Sequence, residues 1–327
     1  MSIIFIGTPT FAVPSLHALA DSGHSIAAVV TQPDRPAGRR RTLTPPPVKL
    51  AALDLGVPVL QPPALRDTDT LAGLRALSPE VFVVVAYGQI LRRDVLNIPP
   101  RGVLNVHPSL LPRWRGASPI PAAILAGDER TGVTIMLMDA GMDSGPLLAQ
   151  KEAPVQESDT AGSLGERLAE VGAGLLAETL PRWLAGEIEP RPQDDSRATT
   201  CPLIRKEDGA LDWSLPSTDT WRRVRAYNPW PGAYTMLDGE LLHIWQARPL
   251  DANSSARPGT VLELGEGWMN DVRVEAMKQA AFAVQTGRGV LVPLEVQRAG
   301  RRALSAAEFL RGVPGLIGQR LVSPIPS

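Results

Sequence analysis

A chain of 327 residues, 44% hydrophobic and 20% charged, has the length of two ordinary globular domains and the makeup of neither a disordered nor a membrane protein. Its net charge of −1 sets up no global field for nucleic acid, so any such binding has to come from local patches. The single cysteine, Cys201, excludes an internal disulfide and a thiolate-built metal site and suits a reducing cytoplasm. The first residues lack the basic start and apolar length of a secretory signal, and no apolar run reaches the length of a membrane span.

In chain order, Ile3–Ile6 reads as a buried strand, followed by the turn Gly7-Thr8-Pro9-Thr10 and a helix from Pro14 to Ser22. The Gly7 turn carries one glycine where a dinucleotide fingerprint needs three, so NAD is excluded as its ligand. Further apolar runs place strands at Ile26–Val30, Val57–Leu60, Val81–Ala86 and Val103–Val106, with helical periodicity at Val48–Leu55 and Thr70–Leu77. Such alternation argues an α/β domain with a mostly parallel sheet and helices on both faces. Thr160–Leu184 is a long amphipathic helix with Leu164, Leu168, Val171, Leu175 and Leu176 on one stripe.

From Ala185 to Ile204 the chain turns polar and proline-bearing, the character of an interdomain connection. The expected division is 1–188 for the first domain, 189–204 for a linker and 205–327 for the second domain. In the latter, Ser217–Tyr227 reads as a helix and Asn228-Pro229-Trp230-Pro231-Gly232 as a rigid turn, with Trp230 as interdomain packing. Short strands follow at Ala233–Leu237, Glu240–Ala247, Gly259–Leu264, Ala281–Thr286 and Gly289–Val296, the spacing of a small five-stranded barrel of a kind that often binds nucleic acid. Residues 190–327 carry 17 basic and 15 acidic groups, so on its own this part is a weak binder.

Two features point to chemistry. The first is the pair of strand ends at Gly102–Pro108 and Gly132–Gly145. Asn105 and His107 sit at i and i+2 on a strand, so both side chains face one side of it. Pro108 then ends the strand, and the carboxyl ends of strands are where open α/β sheets keep their ligands. An amide donates to a developing oxyanion and an imidazole moves a proton near neutral pH. Asp143, in the turn Asp139-Ala140-Gly141-Met142-Asp143-Ser144-Gly145, supplies the carboxylate such an imidazole needs. Each of these residues alone has an ordinary structural reading; together they make a site. His17 and His24 read as structural, and His243 as half-buried packing on a barrel strand. Trp114 is open between a packing anchor and a pocket wall.

The second feature is the connection Thr31–Pro47, 17 residues long where most run about 2–6. It carries Arg35, Arg39, Arg40 and Arg41 against the single acid Asp34 and leaves the carboxyl edge of the sheet. A basic, structureless, mobile loop there suits phosphate contacts.

Asn105-Val106-His107-Pro108-Ser109-Leu110-Leu111-Pro112, with Asp143 in its Gly-Met-Asp-Ser-Gly turn, resembles the folate-dependent formyltransferases. Gly7-Thr8-Pro9, Thr31–Arg39, Val84–Gly88, Leu111–Gly116 and Asn228–Gly232 are similar to the methionyl-tRNA formyltransferase branch of that family, over nearly the whole chain. The resemblance implies a Rossmann-like first domain and an OB-like second one. It also implies transfer of the formyl group of 10-formyltetrahydrofolate, as co-substrate, to the amine of initiator methionyl-tRNA, by a cytoplasmic monomer without a metal or a membrane. By the same resemblance Asn105, His107 and Asp143 are catalytic. Val85, Ala86, Tyr87 and Gly88 and the segment Ser109, Leu110, Leu111 and Pro112 contact the folate. The loop arginines Arg35, Arg39, Arg40 and Arg41 face the tRNA, Arg39 foremost. The chain departs from the family pattern in having Arg40-Arg41-Thr42 for Gly-Lys-Lys, which keeps the positive charge, and in having His107-Pro108 for His-Gly. Two rivals stand beside this reading: a formyltransferase acting on a sugar amine or glycinamide nucleotide, and a nucleic-acid-binding module whose first half is an inert scaffold.

Overall fold

The computed structural model describes residues 2–37, 42–252, 254–264 and 280–323. The chain forms two compact units: Met1–Pro119 with Glu129–Val155 and Leu164–Pro202, and Ile120–Asp128 with Gln156–Ser163 and Leu203–Ser327.

The first unit is built on a seven-stranded sheet. Its early strands are β1 (Ser2–Gly7) and β2 (Ser25–Val30), with helix α1 (Val13–Asp21) between them. The long connection after β2 is not structureless. It holds two short strands, β3 (Arg35–Ala37) and β4 (Thr42–Thr44), paired antiparallel with Arg35 opposite Thr44. The expected 17-residue loop therefore carries paired strands at Arg35–Ala37 and Thr42–Thr44. Its base is pinned by Asp34, which accepts from Lys49 Nζ at 2.8 Å and from Gln61 Nε2 at 2.7 Å. Those two partners, Gln61 first, hold the Asp34 carboxyl below its ordinary range.

Helix α2 (Pro47–Asp54) then leads to β5 (Val59–Leu60), and α3 (Thr68–Ala76) to β6 (Val81–Val85). A single helical turn, α4 (Arg93–Leu96), precedes β7 (Val103–His107), and the two-residue β8 (Arg115–Gly116) follows it. After α5 (Pro119–Ala126) come β9 (Arg130–Leu137) and β10 (Leu147–Pro154). The sheet order is β10-β9-β7-β6-β1-β2-β5. β1 is parallel to β2 and β6, and β6 to β7, whereas β9 runs antiparallel to both β7 and β10. The chain thus builds outward from β1 on one side and then crosses to β6 on the other, which opens the crevice between β1 and β6 that such sheets use for ligands.

The apolar runs make these strands because both faces of the sheet are covered, so continuous Val and Ile is tolerated. Ile3, Ile4, Phe5 and Ile6 are fully buried. The long helix α6 (Ala161–Leu184) buries Leu164, Leu168, Leu175 and Leu176. It approaches the sheet closely at Gly172, where a Cβ would stand 2.9 Å from Val106 Cγ1. Val106 points toward the helix, which leaves Asn105 and His107, one residue either side, on the opposite face of β7.

The stretch expected to tether the domains is instead built into the first unit. Arg191 exchanges two backbone hydrogen bonds with Leu147, at 2.8 and 2.9 Å, and β11 (Thr200–Cys201) pairs in parallel with β8.

In the second unit, helix α7 (Ser217–Ala226) precedes the strands β12 (Ala233–Leu237), β13 (Glu240–Leu250), β14 (Val261–Glu263), β15 (Phe282–Gln285), β16 (Val290–Arg298) and β17 (Leu304–Ser305), followed by α8 (Ala306–Gly312). The antiparallel order is β12-β13-β16-β15-β14, with β17 on β16. The two edges are joined by the end of the chain. Leu321 N–H donates to Gly259 O at 2.8 Å, and Met236 and Val322 exchange backbone bonds at 3.0 Å. Trp213, Val224, Ile244, Phe282, Val296 and Phe309 form the interior. His243 stacks on Trp245, ring centroids 5.2 Å apart and planes 9° from parallel. Trp230, expected as interdomain packing, is 59% exposed.

Candidate active site

β7 lies between β6 and β9, with Asn105 opposite Val84 on one side and Met136 on the other. Buried neighbours on both sides make its side-chain directions rigid. Asn105 is 9% exposed and His107 4%. The turn after β9 brings Asp143 over them in the left-handed region, with φ 51°. Asp143 Oδ1 stands 3.5 Å from Asn105 Nδ2, and Oδ2 stands 3.7 Å from His107 Nδ1. The first distance is a long hydrogen bond. The second is beyond hydrogen bonding but well inside the range where opposite charges attract.

The two nitrogens of His107 have different duties. Nε2 lies 3.0 Å from the carbonyl oxygen of Trp114. A carbonyl only accepts, so Nε2 carries the proton, and the nitrogen left to titrate is Nδ1, which faces Asp143. Burial lowers the His107 pKa below its ordinary 6.5; the charge of Asp143 and the bond to Trp114 oppose that shift without overcoming it. The resting imidazole is therefore neutral at pH 7, with a free lone pair toward the carboxylate. Trp114 itself sits at φ 62° with the Arg113 guanidinium 4.3 Å over its ring, and its backbone carbonyl is what reaches the site.

Asp143 is braced from two other parts of the chain. Gly116 N–H donates to its Oδ2 at 2.8 Å. Gln193 Nε2 donates to the carbonyl oxygens of Asp143, at 2.9 Å, and Gly145, at 2.7 Å. Sequence reading missed Gly116, Gln193 and the Trp114 carbonyl. Two act through backbone atoms, whose partners cannot be read from residue type, and Gln193 lies fifty positions from its partner.

The other expected contacts differ in how open they are. Val85 and Tyr87 are buried, whereas Ala86, at φ 48°, and Gly88, at φ 83°, are exposed at the end of β6. Burial pushes the Tyr87 hydroxyl up to about 12. The Tyr87 carbonyl accepts from Thr8 Oγ1 and from Gln32 Nε2, both at 3.0 Å, and Gln32 in turn accepts from Arg35. In the second segment Ser109 and Leu111 are buried, and Leu110 and Pro112 partly so. Ser109 Oγ donates to Arg113 O at 2.6 Å, and Leu111 is held by Thr134 and Gln150. Side-chain polarity in Ser109–Pro112 is thus spent on the turn itself. Arg35 is exposed at the start of β3; Arg39, Arg40 and Arg41 lie outside the described residues. Among the described residues no group of three or more His, Cys, Asp or Glu is placed to hold a metal ion, and no helix is long and apolar enough to cross a membrane.

The formyl transferase family matches residues 1–180, and the formyl transferase C-terminal domain matches residues 203–314. Among related sequences, the methionyl-tRNA formyltransferase of Chloroflexus aurantiacus is 53% identical over 96% of this chain and 97% of its own length. That of Methylococcus capsulatus is 46% identical over 98% and 99%. Among solved structures, HypX from Aquifex aeolicus in complex with tetrahydrofolic acid shares the fold at a TM-score of 0.63 and 18% identity, covering 97% of this chain and 48% of that one. The N-formyltransferase from Helicobacter canadensis does so at 0.61 and 16%, covering 89% and 98%. Full-length identity at this level, over both domains, means that the chain belongs to the formyl transferase family and, within it, to the methionyl-tRNA formyltransferases.

Proposed function

We propose that Asn105, His107 and Asp143 carry the transfer of a formyl group from 10-formyltetrahydrofolate to the α-amine of methionyl initiator tRNA. The observation that supports this most is the convergence of an amide donor, an imidazole lone pair and a carboxylate within 3.7 Å at the carboxyl end of one strand.

An α-amino group titrates near about 7.7–8.0, so a usable fraction is neutral at pH 7 and attacks without a strong base. As the new C–N bond forms, the carbonyl electron pair moves to oxygen, and the barrier lies in stabilising that oxyanion. The Asn105 amide, weakly engaged at 3.5 Å, is free to turn an N–H to it. One such donor contributes about 2.7–4 kcal/mol. The attacking nitrogen then has a proton to lose. His107 Nδ1 and Asp143 Oδ2 form the pair that takes it, as an imidazolium beside a carboxylate, and returns it to N10 of the folate as the C–N10 bond breaks. The extra positive charge resides next to the oxyanion only while the oxyanion exists. His107 Nε2 stays on Trp114 throughout and keeps the ring from turning.

In this reading main-chain groups of Val85–Gly88 and Ser109–Pro112 line the folate, chiefly at the exposed Ala86 and Gly88, and the arginines Arg35, Arg39, Arg40 and Arg41 of the Thr31–Pro47 connection meet tRNA phosphates. Action as a cytoplasmic monomer completes it, supported by a lone, buried cysteine that suits a reducing compartment; sedimentation velocity at working concentration tests the monomer. The function itself is tested by formyl transfer from 10-formyltetrahydrofolate to charged initiator tRNA, measured beside a sugar amine. Turnover with the tRNA and none with the sugar is expected; the reverse preference overturns the acceptor.

A further inference from the structure

Residues 181–202 fall outside both family matches, which end at 180 and resume at 203. In sequence, 189–204 read as a tether. In the structure the middle of this stretch reaches the candidate site through one side chain, Gln193.

The Gln193 amide makes four hydrogen bonds. Its NH2 donates to Asp143 O and Gly145 O, at 2.9 and 2.7 Å, and its Oε1 accepts from Arg115 Nε and Nη2, at 3.0 and 2.8 Å. Only a side-chain amide offers two donors to carbonyls and an acceptor to a guanidinium from one planar group. Arg115 occupies β8, and the next residue along, Gly116, grips the Asp143 carboxylate through its N–H. Gln193 therefore contacts the backbone that carries the carboxylate and the strand that aims it. Asp143 adopts a left-handed backbone, a conformation that persists where surroundings enforce it. The segment is itself pinned on both sides of Gln193, by Arg191 on Leu147 and by Thr200-Cys201 on β8.

We propose that Gln193 is a positioning residue for formyl transfer, holding the Asp143 turn over His107 and Asn105. This rests on the reading of Asp143 as part of the proton-carrying pair. A solvated tether glutamine has its amide in water; this one is saturated by the site.

Two variants separate the possibilities. Gln193→Met keeps the length and removes all four bonds; Gln193→Glu keeps the acceptor for Arg115 and removes both donations. Each is assayed alone and in an Asp143→Asn background, with kcat, KM for both substrates and thermal unfolding. The expected result is a fall in kcat of about tenfold to a hundredfold for each single variant, with KM for both substrates within about twofold. In the Asp143→Asn background either variant is expected to cost no more than about twofold further, since the group it positions is gone. The proposal is overturned if Gln193→Met and Gln193→Glu keep wild-type kcat while Asp143→Asn loses it, or if their losses are undiminished in the Asp143→Asn background. It is also overturned if kcat and KM degrade together with a collapsed unfolding midpoint, which assigns Gln193 to folding alone. Wild-type kcat in Asp143→Asn instead sinks the underlying reading of the pair.

Discussion

Gly116 and Asp143 are joined by a hydrogen bond of 2.8 Å from backbone N–H to carboxylate, and the donor is a residue at which no side chain fits. Gly116 has φ 118°, and a Cβ there would stand 2.3 Å from the Cys201 carbonyl oxygen. That oxygen is fixed backbone in the β8–β11 pairing, so it cannot swing aside as a flexible side chain would. Gly116→Ala is expected to cost about 1–3 kcal/mol in urea unfolding. Because the same backbone aims the carboxylate, kcat should drop by about a hundredfold as well. Unaltered turnover would detach the grip from the chemistry.

Asp143→Asn keeps the shape and one acceptor oxygen but removes the charge that stabilises a protonated His107. The expected loss in kcat is about 10²–10⁴-fold, with methionyl-tRNA affinity by filter binding nearly unchanged. A variant with wild-type turnover removes Asp143 from the reaction.

Asn105→Ala deletes the donor assigned to the oxyanion. Loss of one such donor lowers kcat by about 10²–10³-fold. Folate binding, followed by ligand fluorescence quenching, should stay within about threefold, since the bond is made in the transition state and not to the bound ground state. Weakening of folate binding to the same degree as kcat would assign Asn105 to holding the donor instead.

Burial of His107 also has a signature in stability. Its folded pKa lies below the ordinary 6.5, so as pH falls through 6.5 the unfolded chain takes up a proton that the folded chain does not. Stability is therefore fully present above 6.5 and declines as pH drops from there toward the folded pKa, at up to about 1.4 kcal/mol per pH unit for this one group. His107→Gln is expected to flatten that slope between pH 6.5 and 5.5 in urea unfolding. His243, also lowered by burial, contributes equally to both proteins and cancels from the difference. An identical slope in the two would mean that His107 is not held neutral.

The arginines Arg39, Arg40 and Arg41 are expected to act on tRNA alone. Replacing Arg39, Arg40 and Arg41 by Ala should raise KM for methionyl-tRNA and make its salt dependence less steep, by roughly 0.7–0.9 in the log–log slope for each phosphate no longer neutralised. KM for the folate should not move. Equal damage to both substrates would point to a disturbed crevice, since Arg35 is linked through Gln32 to the Tyr87 carbonyl.

The amino-acid sequence by itself determined the α/β class of the first unit, the strands on which it is built and the pairing of Asn105 with His107 on one face. These follow from local rules: apolar runs that need two covered faces, and the two-residue repeat of an extended chain. It also marked Thr31–Pro47 as unusual from length and charge, although not that Arg35–Ala37 and Thr42–Thr44 pair there. What brings Asp143 to 3.5 and 3.7 Å from its partners was decided by the tertiary structure. So was the use of the Trp114 carbonyl to fix the histidine's proton, and the capture of the supposed tether by Leu147 and β8. Those bonds are made by backbone atoms or by residues dozens of positions apart. Every residue carries a main-chain carbonyl and all but proline an N–H, so which of them serves the site is settled only once the chain has folded.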